Sequence, residues 1–179
     1  MKIIALTRTS APAAEPVSLE LAKQHLRVEN TDEDALIGEY ISSATAWVER
    51  FLERSLIRQT WQMILDGFPD DGESIEMRMP PSYDLQTFTY FDADDDEQEV
   101  DVDSFTTLFN VDCGLIGLNS GYAWPVTSAR PGPVRITYRT GYGADASSVP
   151  ADIRRAVRTL VEHQYRTRGP LIIGTIASP

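Results

Sequence analysis

The spacing of apolar and polar positions changes period twice along the chain. Leu19, Ala22 and Leu26 fall on one helical face, and Ser18 is placed to cap it, so a helix is expected over 18–27. Leu36, Ile37, Tyr40, Ile41, Ala44, Trp47, Val48, Phe51 and Leu52 then repeat at three- and four-residue steps. Glu39, Ser43, Glu49, Arg50 and Glu53 lie off that stripe. This spacing predicts a long amphipathic helix over 32–55, with its aromatic stripe turned to the core. Thr31 and Asp34 stand ahead of it in a T-x-x-D arrangement that resembles a capping box. Beyond 57 the period falls to two. Trp61, Met63 and Leu65, then Ile75, Met77 and Met79, then Phe88 and Tyr90, then Val134, Ile136 and Tyr138 alternate with polar neighbours. These read as half-buried strands, and shorter ones are expected over 104–109 and 113–118. Pro69-Asp70-Asp71-Gly72, Pro80-Pro81-Ser82 and Pro131-Gly132-Pro133 supply the turns. After Gly141-Tyr142-Gly143 the helical period returns with Ile153, Ala156, Val157, Leu160 and Val161. A helix over 150–167 is expected, opened by Pro150 and stopped by Gly169-Pro170.

The pattern as a whole gives an α+β fold. An N-terminal helix pair and a C-terminal helix pack with an antiparallel β unit, residues 57–140, inserted between them. Residues 1–14 read as an extended N-terminal arm, 15–168 as a single domain and 169–179 as an apolar C-terminal tail. A chain of 179 residues buries about 70% of its unfolded surface and needs no staple to fold. Its one cysteine, Cys113, excludes an internal disulfide and a cysteine-cluster zinc site, and reads as a small buried hydrophobe in a strand. No apolar run reaches the length of a membrane span. The run Met1 to Leu6 is too short for a signal peptide, so a cytoplasmic product is expected.

Charge changes this picture at one place. The net charge is −11, from 27 acids and 16 bases. Eight of those acids (Asp92, Asp94, Asp95, Asp96, Glu97, Glu99, Asp101 and Asp103) fall within 92–103 with no base among them. The remaining 19 acids nearly balance the 16 bases, so the chain is close to neutral apart from one acidic loop. It lacks the basic face by which specific DNA readers hold phosphates. Asp92, Asp94 and Asp96 match the first ligand positions of an EF-hand, which makes them weak candidates for calcium. Glu97 replaces the glycine needed for the sharp turn, and the flanks are strand rather than helix, so the loop reads as a solvated hairpin tip.

Catalysis has little to work with. His25 and His163 sit on expected helices, and no nucleophile motif, zinc motif or phosphate loop accompanies them. No cofactor and no enzyme activity are expected. A small calcium- or carbohydrate-binding β module is the alternative from another class.

The ordered set of segments resembles one family. Glu15-Pro16-Val17-Ser18-Leu19 leads into Ala22-Lys23-Gln24-His25-Leu26-Arg27-Val28, then Asp32-Glu33-Asp34-Ala35-Leu36-Ile37 and the long helix. Gln59-Thr60-Trp61 opens the strands, Leu65-Asp66-Gly67-Phe68-Pro69 follows, and Tyr90-Phe91-Asp92-Ala93-Asp94 precedes a turn. Trp124-Pro125 lies in a loop, Pro133-Val134-Arg135-Ile136-Thr137-Tyr138 runs into Gly141-Tyr142-Gly143, and Val149-Pro150 begins the last helix. Across about 15–168 this is similar to the head–tail connector (adaptor) proteins of long-tailed phages, prophages and gene transfer agents. The acidic run 94–97 departs from the Asp-Gly type turn typical of related chains.

The resemblance implies a structural virion protein of the neck, made in the bacterial host cytoplasm. It implies a ring, usually of twelve copies, between the portal and the stopper or tail-completion proteins, with DNA passing through the lumen without sequence reading. It implies that the segment from Arg166 onward, with Arg168, Leu171, Ile172, Ile173 and Ile176, reaches the portal. An acidic loop of Asp94, Asp95, Asp96 and Glu97 facing the channel would repel DNA and keep it sliding. Another neck protein, a stopper or tail terminator, is the nearest alternative, and the paired N-terminal helices disfavour it.

Overall fold

The computed structural model describes residues 1–70 and 73–167. Three helices, α1 (Leu19–Leu26), α2 (Asp34–Leu52) and α3 (Ala151–Thr167), pack on one another. The strands are β1 (Ile3–Ser10), β2 (Gln59–Leu65), β3 (Ile75–Met77), β4 (Ser82–Phe91), β5 (Glu97–Glu99), β6 (Phe105–Phe109), β7 (Gly114–Leu118) and β8 (Val134–Thr140). They form an antiparallel five-stranded sheet, ordered β1-β2-β8-β4-β5, and a three-stranded sheet, ordered β3-β7-β6. The segment expected as an N-terminal arm thus contributes β1 at the edge of the larger sheet.

Each half has its own core. The helical half buries Val17, Ala22, Ile37, Ile41, Ala44, Val48, Leu56, Ile57, Val149, Val157 and Val161, all aliphatic. In the β half the period-two alternation does what it predicts. Val134, Ile136, Tyr138 and Thr140 of β8 point inward, with Arg139 exposed. They meet Met63 and Leu65 of β2, and Ile75, Met77 and Ile116 from the smaller sheet, so the two sheets share one apolar layer. Two of the sequence segments meet here. Phe68 lies flat on Trp124 with ring centroids 5.0 Å apart and meets Phe88 edge-on at 5.9 Å.

The junction between the halves runs from the end of α2 into β2. The carboxylate of Glu49 is buried there, where its Oε1 accepts the Leu56 N–H and the Gln59 side-chain amide, both at 2.8 Å. Ser55 Oγ takes a hydrogen bond from Trp61 Nε1 at 3.0 Å and one from Thr140 Oγ1 at 2.7 Å. Gly141 follows β8 with φ at +114°, and a Cβ there would lie 2.6 Å from the carbonyl carbon and oxygen of Ile57. Only glycine permits the two backbones to approach so closely in that conformation.

Several expectations are corrected. Helix α2 is shorter than 32–55 at both ends, and the T-x-x-D box does not form. Its N-cap is Glu33, which makes no side-chain cap, and Asp34 pairs instead with Lys23 of α1 at 2.5 Å. The buried face of α2 is Ile37, Ile41, Ala44, Thr45, Val48 and Glu49. At 100° per residue this face is rotated off the apolar stripe, gaining Thr45 and Glu49 and leaving Trp47 and Phe51 outside. Ala156 is exposed on α3. Cys113 is half-buried and precedes β7 in a turn, where its Sγ receives the Asn110 side-chain amide at 3.3 Å.

Candidate assembly surfaces

The acidic hairpin joins β4 to β5. Asp92 organises it: Oδ1 accepts the backbone N–H groups of Asp94 and Asp96 at 3.0 and 3.1 Å, and Oδ2 accepts the Gln98 amide at 2.9 Å. The hydrogen bond from Gln98, followed by that from Asp96, holds the Asp92 carboxyl below the usual aspartate range. Asp95 turns through a φ of 67° and accepts hydrogen bonds from Ser128 and Arg130 at 3.1 and 3.2 Å. The Arg130 guanidinium also lies 3.8 Å from the centroid of the Phe91 ring, which ties the hairpin to the 119–133 loop.

Of the three weak calcium candidates, Asp92 therefore already spends both oxygens inside its own turn. Among the described residues no group of three or more His, Cys, Asp or Glu is placed to hold a metal ion. Asp94, Asp96 and Glu97 project into solvent, and Glu97 and Glu99 line the edge strand β5. Charge along an open edge discourages pairing with a further strand.

One histidine bridges two helices. His25 of α1 meets Glu162 of α3 at 3.0 Å, and Glu162 also pairs with Arg166 at 2.7 Å. His163 is exposed. Arg166 is thus placed at the end of α3. Arg168, Leu171, Ile172, Ile173 and Ile176 lie outside the described residues.

The surface that sequence reasoning missed is the outer face of α2. Trp47 and Phe51, four residues apart, stack with centroids 5.1 Å apart and planes 6° from parallel. They are 46% and 71% exposed. A signal was present. Both sit on one margin of an apolar stripe wider than two flanking helices cover, while Thr45 and Glu49 sit beyond its other margin.

Beside this face an open groove runs between α2 and β1. Arg8 reaches across it to Gln59 at 3.3 Å and to Glu49 at 3.9 Å. Arg54 closes the far end with hydrogen bonds to the Val111 carbonyl at 2.7 Å and to Asp112 at 2.6 Å. Burial pushes the Glu49 carboxyl above its ordinary range, against the opposing pull of the Leu56 N–H, Gln59 and Arg8.

The chain has an exposed aromatic face, a charged hairpin and sheet edges, and its histidines are engaged between helices or exposed. The family model of phage gp6-like head–tail connector proteins matches residues 16–107, slightly more than half of the chain. The chain belongs to that head–tail connector family.

As a connector, its role is structural. The matched region ends within β6, so it takes in all of α1 and α2 and the acidic hairpin. Solved structures share the whole fold. A chain in the neck of an empty gene transfer agent (GTA) particle, determined with C6 symmetry, overlays at a TM-score of 0.81 with 22% identity. The match covers 97% of this chain and 90% of that one. A chain in the virion of a native GTA particle overlays at 0.80 with 20% identity, over 97% and 90% of the two chains. A chain in the neck of a native GTA particle with C12 symmetry overlays at 0.79 with 20% identity, over 97% and 89%. No curated protein matches the connector's sequence. Among the described residues no helix is long and apolar enough to cross a membrane.

Proposed function

We propose that this connector acts in the neck of a tailed, phage-like particle as a ring of twelve copies. In this reading the ring binds the portal on one side and a stopper or tail-completion protein on the other, and DNA passes through its lumen. The observation that carries the reading is the overlay of nearly the whole chain on subunits of GTA necks, one of them in a C12 assembly, combined with membership of the connector family. The connector turns over no substrate in this role.

Two finer assignments belong to the proposal. Residues 166–176 dock on the portal, with Leu171, Ile172, Ile173 and Ile176 as apolar anchors. Anchors of this kind bind weakly one at a time and firmly when a ring presents many together. Asp94, Asp96 and Glu97 face the lumen, where their charge repels the DNA backbone. Asp95 is partly neutralised by Arg130 and contributes less.

The test is cryo-electron microscopy of particles from producing cells, paired with particles whose connector lacks residues 169–179. The expected outcome is a twelve-fold ring of this chain beneath the portal, hairpins inward, and tailless heads in the truncation. A chain absent from the neck overturns the proposal. Normal yields of tailed particles from the truncation remove the tail assignment. Hairpins that point outward or touch protein remove the lumen assignment.

A further inference from the structure

We propose that the Trp47–Phe51 face of α2 is one half of the contact between neighbouring copies of this chain, seated against an unlike surface of the next copy. The inference rests on the neck-ring reading and adds to it which residues hold the ring together.

The isolated chain leaves a solvation cost unrelieved. Aromatic side chains bury roughly 150–250 Å² each when packed. Trp47 and Phe51 cover one face of each other and leave the outer faces in water, at 46% and 71% exposure. Leu52, next in sequence, is also exposed and lines the neighbouring groove. Singly exposed apolar residues are ordinary on protein surfaces, whereas contiguous ones mark contact sites. The stack also fixes both rings before any partner arrives, so little rotamer freedom remains to be lost on binding. Arg50 stands within the same helical turn and has no ion pair among the described residues, leaving a cation free at the rim of the patch. Aromatic residues with an adjacent arginine are the side chains enriched in the centres of protein contacts.

The occupant follows from symmetry. In a rotational ring each copy has two neighbours of its own kind, and the contact is head-to-tail: one surface meets a different surface of the next copy. The connector supplies apolar residues for both sides. One set is on α2. A second set of exposed apolar residues (Val102, Leu108 and Val126) lies wholly on the β half. A chain whose α2 face meets exposed residues of another copy's β half can close a ring. A chain pairing α2 with α2 would stop at a dimer.

The experiment places p-benzoylphenylalanine at Phe51 and irradiates purified particles. The expected product is an adduct of about twice the 20.0 kDa chain mass, joining α2 of one copy to a surface other than α2 on a second copy. An α2-to-α2 adduct, an adduct with a different protein, or no adduct in particles that contain the chain overturns the inference while the neck reading stands. Particles from which the chain is absent overturn the neck reading itself. A second measurement uses a Trp47→Ala/Phe51→Ala chain, which is expected to melt within a few degrees of wild type because both residues are exposed. Co-expressed with wild type it keeps one side of the contact and lacks the other, so it ends growing rings and lowers the yield of tailed particles. An undiminished yield, with the variant present in necks at its expressed proportion, also overturns the inference.

Discussion

Phe68 lies flat on Trp124 inside the β half, and Trp47 lies flat on Phe51 outside the helical half. The two stacks have nearly the same geometry and opposite surroundings. The first is enclosed by Phe88 and Tyr90, with Phe105 continuing the cluster beyond Phe88. The second has solvent on its outer faces. The fully buried residues of the helical core are all aliphatic, and Tyr40, Tyr142 and Tyr165 pack against them partly buried. The β core spans a five-stranded and a three-stranded sheet, with Phe88 buried in it and Phe68, Tyr90, Phe105 and Trp124 packed partly buried against it. The Phe68–Trp124 stack therefore packs on a core, and the Trp47–Phe51 stack packs on neither.

The sharpest way to break that contrast is to remove a ring from each side. Phe88 is 5% exposed and touches Phe68, Trp124 and Phe105. Phe88→Ala is expected to cost about 3–5 kcal/mol, the sum of lost transfer energy and a cavity that rigid sheets cannot collapse. Urea denaturation of the purified chain checks this. A loss below about 1 kcal/mol would mean that the enclosed stack is not what holds the sheets together.

The seam between the halves ranks next. Gly141 sits where β8 passes the backbone of Ile57, at a positive φ that favours glycine. Gly141→Ala combines an unfavourable backbone region with a contact at 2.6 Å, for an expected loss of about 2 kcal/mol or more. Thermal melting should show one transition at a lower temperature. A variant as stable as wild type would show that the seam yields easily and that the halves are loosely coupled.

Legibility in the sequence follows the same division. In β8 the alternation named the inward residues correctly, because a strand has only two faces and Arg135, Thr137 and Arg139 marked the outer one. In α2 the stripe located the helix but misjudged its phase. A helix has no fixed number of faces, and what it buries depends on where its neighbours lie. Contacts from α1 and α3, with the chain after Leu52 folding back on Glu49, pulled the buried arc toward two polar residues. Glu49 was unreadable as a buried group because its partners, Leu56 N–H and Gln59, come from a turn that no periodicity describes. The hairpin was legible as a turn, since the eight acids of 92–103 had no base among them and no helical flank. The tie between Asp95 and Arg130 was not, because 35 residues separate them.

Two carboxylates sharpen the contrast through pH. Glu49→Ala leaves the Leu56 N–H and the Gln59 amide without their acceptor inside the junction, at an expected cost of about 1–3 kcal/mol. Glu49→Gln retains an acceptor and removes the charge. Burial raises the folded pKa of Glu49 above its ordinary 4.5, so the folded state binds the proton more tightly than the unfolded chain. Its contribution is fully present below about that ordinary value and is lost as pH rises through the raised one. The melting temperature of wild type relative to Glu49→Gln should therefore fall as pH rises from about 4 towards neutrality. Asp92 has the opposite sign. Its folded pKa is lowered from 3.8, so its contribution is present above that value and lost as pH falls through the depressed one. The deficit of Asp92→Asn should be full near neutrality and shrink in acid. Equal slopes for the two variants would remove the distinction between a buried junction carboxylate and a solvated turn carboxylate.

The smallest expected effect on stability is the most informative about assembly. Trp47→Ala removes a large ring, and in a core such a change costs about 3–5 kcal/mol. Here the ring is nearly half exposed and stacks on Phe51, itself 71% exposed. Little protein surface collapses when it goes, so the expected change lies within about 0.5 kcal/mol, in the range of ordinary surface substitutions. Urea denaturation of the isolated chain measures it directly. A loss of several kcal/mol would place Trp47 in the core after all and remove the reason for assigning α2 a partner. If stability is unchanged while incorporation into necks is reduced, the energetic role of the outer stack lies in the assembled ring rather than in the single subunit.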